Sequence, residues 1–394
     1  MSPNRSIPIA LPMLGEPEAE AAARVIRSGW VTQGPEVAAF EQEFAEKVGA
    51  SYACAVSNCT TALHLALLAV GVGPGDEVIT VSHSFIATAN AIRHCGATPV
   101  FVDIEPQVYN IDPLLIENAI GPRTRAILCV HQLGMPCDMA SIMEIARCRG
   151  LPVIEDAACA AGSSIIWQGQ HCNIGAPIGD IVCFSFHPRK VITTGDGGML
   201  TTSSSEYDQK FRLWRQHGMS VSDRERHSSS SVIFESYTSV GFNYRMTDIQ
   251  AAIGREQLRR LDDIVAKRRQ IAGLYKLHLK DLPDLQLPLE PSWARSNWQS
   301  FCVLLPRRLD QRYVMQYLLD QGISSRRGVM NAHREPAYAA PGGARIGSRL
   351  SRSEYAQDHA IMLPLSVQMQ EEDVALVADA LRGAMASIRT AELA

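Results

Sequence analysis

The chain has 394 residues, 46% of them apolar, and a formal charge of −4. That apolar content supplies a sizeable core with length enough for two domains, which argues against disorder. The charge is spread out with no basic block or stripe, so there is no case for nucleic acid or an anionic membrane as partner, and a small-molecule enzyme is the default. The ten cysteines are scattered without CxxC spacing and read as reduced, mostly buried thiols, with no metal expected. No signal-peptide pattern opens the chain and no run approaches the roughly 18 apolar residues of a membrane span, so a cytoplasmic protein is expected.

Apolar residues at helical spacing predict an amphipathic helix over Glu16–Ser28, ended by Gly29. A second follows over Pro35–Val48, with Pro35 in the first turn, where its missing N–H costs nothing. Trp30, in the linker between them, reads as a packing anchor. A strand over Tyr52–Val56 then turns through Ser57, Asn58, Cys59 and Thr60 into an apolar helix at 61–70. Strand, polar turn and helix start is the arrangement in which free N–H groups and the helix dipole receive a phosphate, although Ser57 and Thr60 would serve equally as N-caps. The glycine-rich 71–76 lacks a third glycine in place, contains Pro74 and follows a helix, so it is a turn and a nicotinamide dehydrogenase is disfavoured.

From residue 77 the pattern alternates: strand 78–81, helix Ala87–His94, strand Thr98–Val102, helix 113–120, strand 126–130, helix Met139–Arg149, strand 152–155. Repeated βα units with nearly continuous apolar strands predict an α/β fold, a mostly parallel sheet with helices on both faces. Ligands of such sheets lie beyond the carboxyl ends of the strands. That edge carries Ser57, Thr60, Phe85, His131, Asp156 and Ser185.

The stretch 181–200, IVCFSFHPRKVITTGDGGML, is an apolar strand running into a polar turn that carries Lys190. A lysine held against an apolar strand loses hydration, which disfavours its ammonium form and frees the amine to attack a carbonyl; taken alone, Lys190 could equally be a solvated surface lysine. Gly195, Gly197 and Gly198 would let backbone approach a flat ring without Cβ obstruction. Asp156, just past a buried strand, suits a protonated pyridine nitrogen. Lysine plus aspartate is the pyridoxal phosphate pairing: one forms the Schiff base, the other holds the pyridinium that makes the ring an electron sink.

A helix at 209–217 precedes a Ser- and charge-rich stretch, 220–231, whose composition suits a mobile loop able to fold over substrate. A long helical run at 247–267 continues as a charged helix to residue 279. Strand 299–305, helix 311–321, strand 323–325 and a closing helix 371–387 then predict a smaller α+β unit. The division expected is a large cofactor-binding domain at 1–258 and a small C-terminal domain at 259–394. Arg326, Arg327 and His333, near one another in a Gly-containing loop, suit an anionic substrate group, or are an ordinary solvated set.

SFHPRKVITTGDGGM, the EDAA at 155–158 and the GFNYRM at 241–246 together resemble the DegT/StrS-type family of sugar aminotransferases, from residue 7 to about 381. The resemblance implies a fold type I pyridoxal phosphate enzyme. It implies that Lys190 is the Schiff-base lysine and proton shuttle, that Asp156 holds the pyridinium, and that Phe85 lies against the ring face. Thr60 and Ser185 would hold the phosphate, with Asn243 reaching across the interface of a homodimer that shares its active sites. Trp30 and Thr32 would lie near the mouth of the site and His187 would line it. Two departures stand out: Cys59 where the family usually has glycine, and Cys159 where Gln or His is common, a thiol being a weak donor and acceptor. The activity implied is transfer of an amino group from glutamate to a keto sugar, a nucleotide-linked keto-deoxyhexose first, by ping-pong half-reactions. The alternatives are the same chemistry on a free keto sugar, sugar acid or cyclitol, and a cofactor-binding regulator without turnover. A dehydratase of the same family, in which histidine typically replaces the lysine, is disfavoured by Lys190.

Overall fold

The computed structural model describes residues 6–221, 230–340 and 342–391. The loop expected at 220–231 lies largely outside the described residues. The strands, in chain order, are β1 Tyr52–Val56, β2 Glu77–Val81, β3 Thr98–Val102, β4 Thr124–Val130, β5 Val153–Asp156, β6 Ser164–Trp167, β7 Gln170–Asn173, β8 Ile181–Ser185, β9 Gly198–Thr202, β10 Ala294–Arg295, β11 Phe301–Leu304, β12 Arg326–Arg327, β13 Arg345–Ile346 and β14 Ala360–Leu363.

The main sheet has the order β1-β9-β8-β5-β4-β2-β3-β13. Strand β9 is antiparallel to both neighbours and every other pairing in this sheet is parallel. The parallel character follows from the βα alternation. The exception lies inside the stretch 181–200, where the residues between β8 and β9 form turns and no crossover helix, returning the chain directly beside β8. That stretch is therefore strand, turn and strand, the second strand starting at Gly198, the last glycine of the turn.

Side chains alternate across each strand, so the sheet buries two cores. On one face Phe40 and Phe44 of the helix Pro35–Val48 pack on Phe184 and Phe186, with ring centroids 5.0 Å apart for Phe44–Phe184 and 5.3 Å for Phe40–Phe186. On the other, Leu63 and Leu67 of the helix Cys59–Ala69 pack with Cys54, Val56 and Cys183. A third apolar cluster gathers Tyr275, Phe301, Leu318 and Leu381 around the antiparallel sheet β11-β14-β12.

The chain departs from the sequence expectation in four places. The helical run expected at 247–267 breaks at Arg260 into Asp248–Arg259 and Leu261–Leu279. Arg260 turns away to donate to the carbonyl of Met13 at 3.0 Å and to pair with Glu18. The strand expected at 323–325 is a single bridge, Ile323 to Ile7, while the pairing with β14 begins at Arg326. Burial of Ile323 beside Ile7 in the third cluster draws it off the sheet. Strand β13, which carries no apolar run, joins the edge of the main sheet, and the segment expected as helix 113–120 is a 3-10 turn, Pro113–Leu115, leading into Ile116–Ala119.

Candidate active site

Strands β8, β5 and β4 lie side by side, with Asp156 in register with Cys183 and Val130, so Asp156 stands in the middle of the carboxyl edge. It is 4% exposed. Its Oδ2 accepts from the Thr88 hydroxyl at 2.8 Å and its Oδ1 from the Ala158 N–H at 3.1 Å. Burial pushes the Asp156 carboxyl up; the bonds from Thr88 and Ala158 and the charge of Lys190 oppose this without cancelling it, so the group lies above its ordinary range. Beside it His131 is fully buried. Its Nδ1 accepts the Cys137 N–H at 3.0 Å, so Nε2 carries the hydrogen and donates to Glu155 Oε2 at 3.0 Å.

Ser185 ends β8, and Lys190 follows in a turn whose backbone N–H donates to the carbonyl of His187 at 2.8 Å. The Lys190 Nζ lies 3.2 Å from the sulfur of Cys159. Burial pushes the Lys190 amine down, but Cys159, then Cys59 and Asp156, outweigh it and hold the amine above its ordinary value. The expectation that desolvation would by itself free the amine is thus corrected: acidic neighbours reverse the sign. The glycines also act differently from expectation. A Cβ on Gly198 would come within 2.5 Å of the Asn58 carbonyl and one on Gly197 within 2.3 Å of the Thr194 hydroxyl, so these two admit neighbouring protein and not a ring. Gly195, at φ +85°, serves the turn itself.

Gly198 thereby seats the Ser57–Thr60 turn against β9. Asn58 caps the helix Cys59–Ala69, its side chain accepting the Thr61 N–H at 2.9 Å, while the first helical N–H groups, those of Cys59 and Thr60, have no partner within the helix. Cys59 itself is buried in the apolar cluster with Cys54 and Cys183, which explains how a side chain is tolerated where glycine is usual. The segment 241–246 runs alongside: the Tyr244 carbonyl accepts the Ser57 N–H at 2.8 Å and Arg245 bridges to Val56. Asn243 is exposed.

Phe85 is 66% exposed, unusual for an aromatic beside a core. Its loop is fixed: Thr88 donates to Asp156, so Ser84 must donate to Thr88, at 2.8 Å, and the Ser82 hydroxyl bonds His333 Nδ1 at 2.7 Å. Among the weaker candidates, His333 has both ring nitrogens engaged, Nδ1 by Ser82 and Nε2 by Glu354 at 3.2 Å. Arg326 and Arg327 are exposed, and Arg327 lies 3.9 Å from Glu335. His187 is half-buried and turned into its own loop, its Nδ1 accepting the Arg189 N–H at 3.2 Å; burial and then Arg189 lower its basicity. Trp30 donates to the Gln33 carbonyl at 3.2 Å and covers Gly34, whose N–H donates to Asp248 at 2.7 Å; Thr32 is exposed.

Sequence reasoning missed Thr88, Asn297 and Gln299. Thr88 had a signal, a hydroxyl one turn beyond Phe85. Asn297 and Gln299 had none, because their contacts to the Cys159 carbonyl at 2.8 Å and the Arg189 carbonyl at 2.5 Å join segments more than a hundred residues apart.

Residues 12–382 match the DegT/DnrJ/EryC1/StrS aminotransferase family. The chain is 39% identical over 383 residues to the spore coat polysaccharide biosynthesis protein SpsC of Bacillus subtilis, covering 96% of this chain and 97% of that one. It is 40% identical over 343 residues to a GDP-perosamine synthase of Caulobacter vibrioides, covering 86% and 88%. Its fold is similar to that of DesV of S. venezuelae, solved in complex with a ketimine intermediate, at a TM-score of 0.85 and 33% identity, covering 96% and 98%. A match of that extent, on a sheet whose carboxyl edge gathers the lysine, the aspartate and an exposed aromatic, settles the family: the chain belongs to the DegT/DnrJ/EryC1/StrS aminotransferases and is a sugar aminotransferase.

Proposed function

We propose that the protein uses pyridoxal phosphate to move an amino group from glutamate to a keto sugar, first of all a nucleotide-linked keto-deoxyhexose. The observation that carries this is the convergence of Asp156, Lys190 and Phe85 on one edge. The residues fit the cofactor: a buried carboxyl held only by neutral donors and one amine lacks a close cation, and a ring nitrogen bearing a proton would supply it. The exposed face of Phe85 is free to cover the ring, and the N–H groups of Cys59 and Thr60, with the Ser185 hydroxyl, would hold the phosphate. Asn243, exposed in the single chain, would complete that phosphate site from a second copy in a homodimer.

Bound there, the cofactor supplies an electron-withdrawing ring that stabilises negative charge at the substrate carbon. Asp156 would face the ring nitrogen and favour its protonated form. Lys190 would be the amine that holds the cofactor, and when free its Nζ would take and return the proton at the substrate carbon. The name of the GDP-perosamine synthase relative supports a nucleotide-linked acceptor.

The test separates the two halves. Glutamate alone should shift the visible band of the loaded enzyme and release 2-oxoglutarate. A panel of nucleotide-linked 3-keto and 4-keto hexoses, free keto sugars, sugar acids and cyclitol ketones is then added. A nucleotide-linked hexose should restore the band and gain an amine by mass. Restoration only by a sugar acid would move the acceptor to that class. No band shift with any amino acid, and no restoration by any ketone, would leave a cofactor-binding protein without turnover.

A further inference from the structure

We propose that Cys159 is a positioning residue for Lys190, holding its free amine by a direct sulfur contact. The Cys159 sulfur lies 3.2 Å from Lys190 Nζ, although the two stand on different loops, one after β5 and one after β8. The separation is set by the scaffold. Asn297 Nδ2 donates to the Cys159 carbonyl at 2.8 Å, and Gln299 Nε2 donates to the Arg189 carbonyl at 2.5 Å, so one short segment grips both loops. That segment is itself anchored by the buried Arg268, which donates to the carbonyls of Trp298 at 2.9 Å and Gln299 at 2.6 Å. Gly134 packs under the same loop, where a Cβ would come within 3.1 Å of the Cys159 carbonyl.

A Gln at this position would give the amine a neutral partner. The Cys159 sulfur instead accepts from the amine at 3.2 Å and holds it above its ordinary value. The other groups facing Lys190 are Cys59 from the helix start and Asp156 from β5, both acting in the same direction as Cys159, and His187 in its own turn. The consequence is an amine held in readiness as a proton carrier, at the expense of its rate of attack on a carbonyl near neutral pH.

The proposal rests on Lys190 being the reacting amine, so its test is read in the cofactor-free full chain, where the two ideas fail separately. The rate at which pyridoxal phosphate combines with wild type, Cys159→Ala and Cys159→Ser is followed across pH. The midpoint should fall in the Ala variant by about one unit, making capture on the acid side about tenfold faster. The Ser variant should fall between, since its hydroxyl accepts a hydrogen bond but adds no charge. In parallel, iodoacetamide alkylation is mapped by mass, with exposed Cys148 as internal reference. Cys159 should react faster in wild type than in Lys190→Ala, relative to Cys148. Either an unmoved midpoint in the Ala variant or an unchanged Cys159-to-Cys148 ratio overturns the proposal. If wild type captures no pyridoxal phosphate, the role of Lys190 falls, while the alkylation ratio still decides the thiol–amine contact.

Discussion

Two buried carboxylates of this molecule meet opposite fates. Glu41, on the helix Pro35–Val48, is as deeply buried as Asp156, and burial pushes both upward. Around Glu41, however, Arg215 and Arg212 converge, the latter at 2.8 Å, and the Ala55 N–H donates at 2.9 Å, so the group ends below its ordinary range. Arg212 also reaches Asp208 at 2.7 Å and the Ala53 carbonyl at 2.8 Å, which extends the network. Asp156 has a hydroxyl, one N–H and a more distant amine, and ends above its range. A carboxylate whose partners are all present ties the fold together; one left short of positive charge is prepared for a ligand that brings it.

The comparison can be broken by substitution. The largest effect is expected at the site itself: Lys190→Ala should lose amino transfer by about 10²–10⁴-fold from the missing proton carrier alone, with an unchanged circular dichroism spectrum. Transfer at the wild-type rate would remove Lys190 from the reaction. Glu41→Gln should do the reverse, leaving the buried Arg215 without its carboxylate and costing about 3–5 kcal/mol of stability by denaturant titration, with per-molecule activity of the folded fraction retained.

Asp156→Asn sharpens the contrast, because it should cost activity and not stability. Turnover should fall by about 10²–10³-fold through loss of the contact that holds the ring nitrogen. In the cofactor-free protein the sign is opposite. A carboxyl raised in the folded state contributes stability that is fully present below its unfolded value of about 3.9 and is lost as pH rises through the folded value. The melting temperature of Asp156→Asn should therefore gain on wild type as the pH is taken from acid to neutral, and a gap that narrows instead would contradict the raised carboxyl. The smallest effect belongs to Phe85→Ala. An aromatic already 66% exposed contributes little to the core, so stability should hold, while cofactor affinity falls by about 0.5–1.5 kcal/mol in a binding titration.

Much of this was legible in the chain. Burial of strands on both faces demands continuous apolar runs, and crossover helices demand amphipathic spacing, so β1 through β5 and their helices, except the segment 113–120, could be placed within a residue or two. The same logic sets Asp156, Phe85 and Ser185 on one edge, because strand ends are local events. What could not be read were choices among partners. The Lys190 turn fixes only that an amine is present; its contact with Cys159 spans 31 residues, and that contact reverses the sign of the shift that burial alone would give. Likewise His333 sits among arginines in the sequence, yet the fold brings Ser82 to it across 251 residues and commits its ring. Local pattern determines which groups exist and on which edge they emerge. Hydrogen bonds and charges act over a few ångströms between segments distant in the chain, so only the tertiary structure decided which of those groups are spent on the fold and which remain for a ligand.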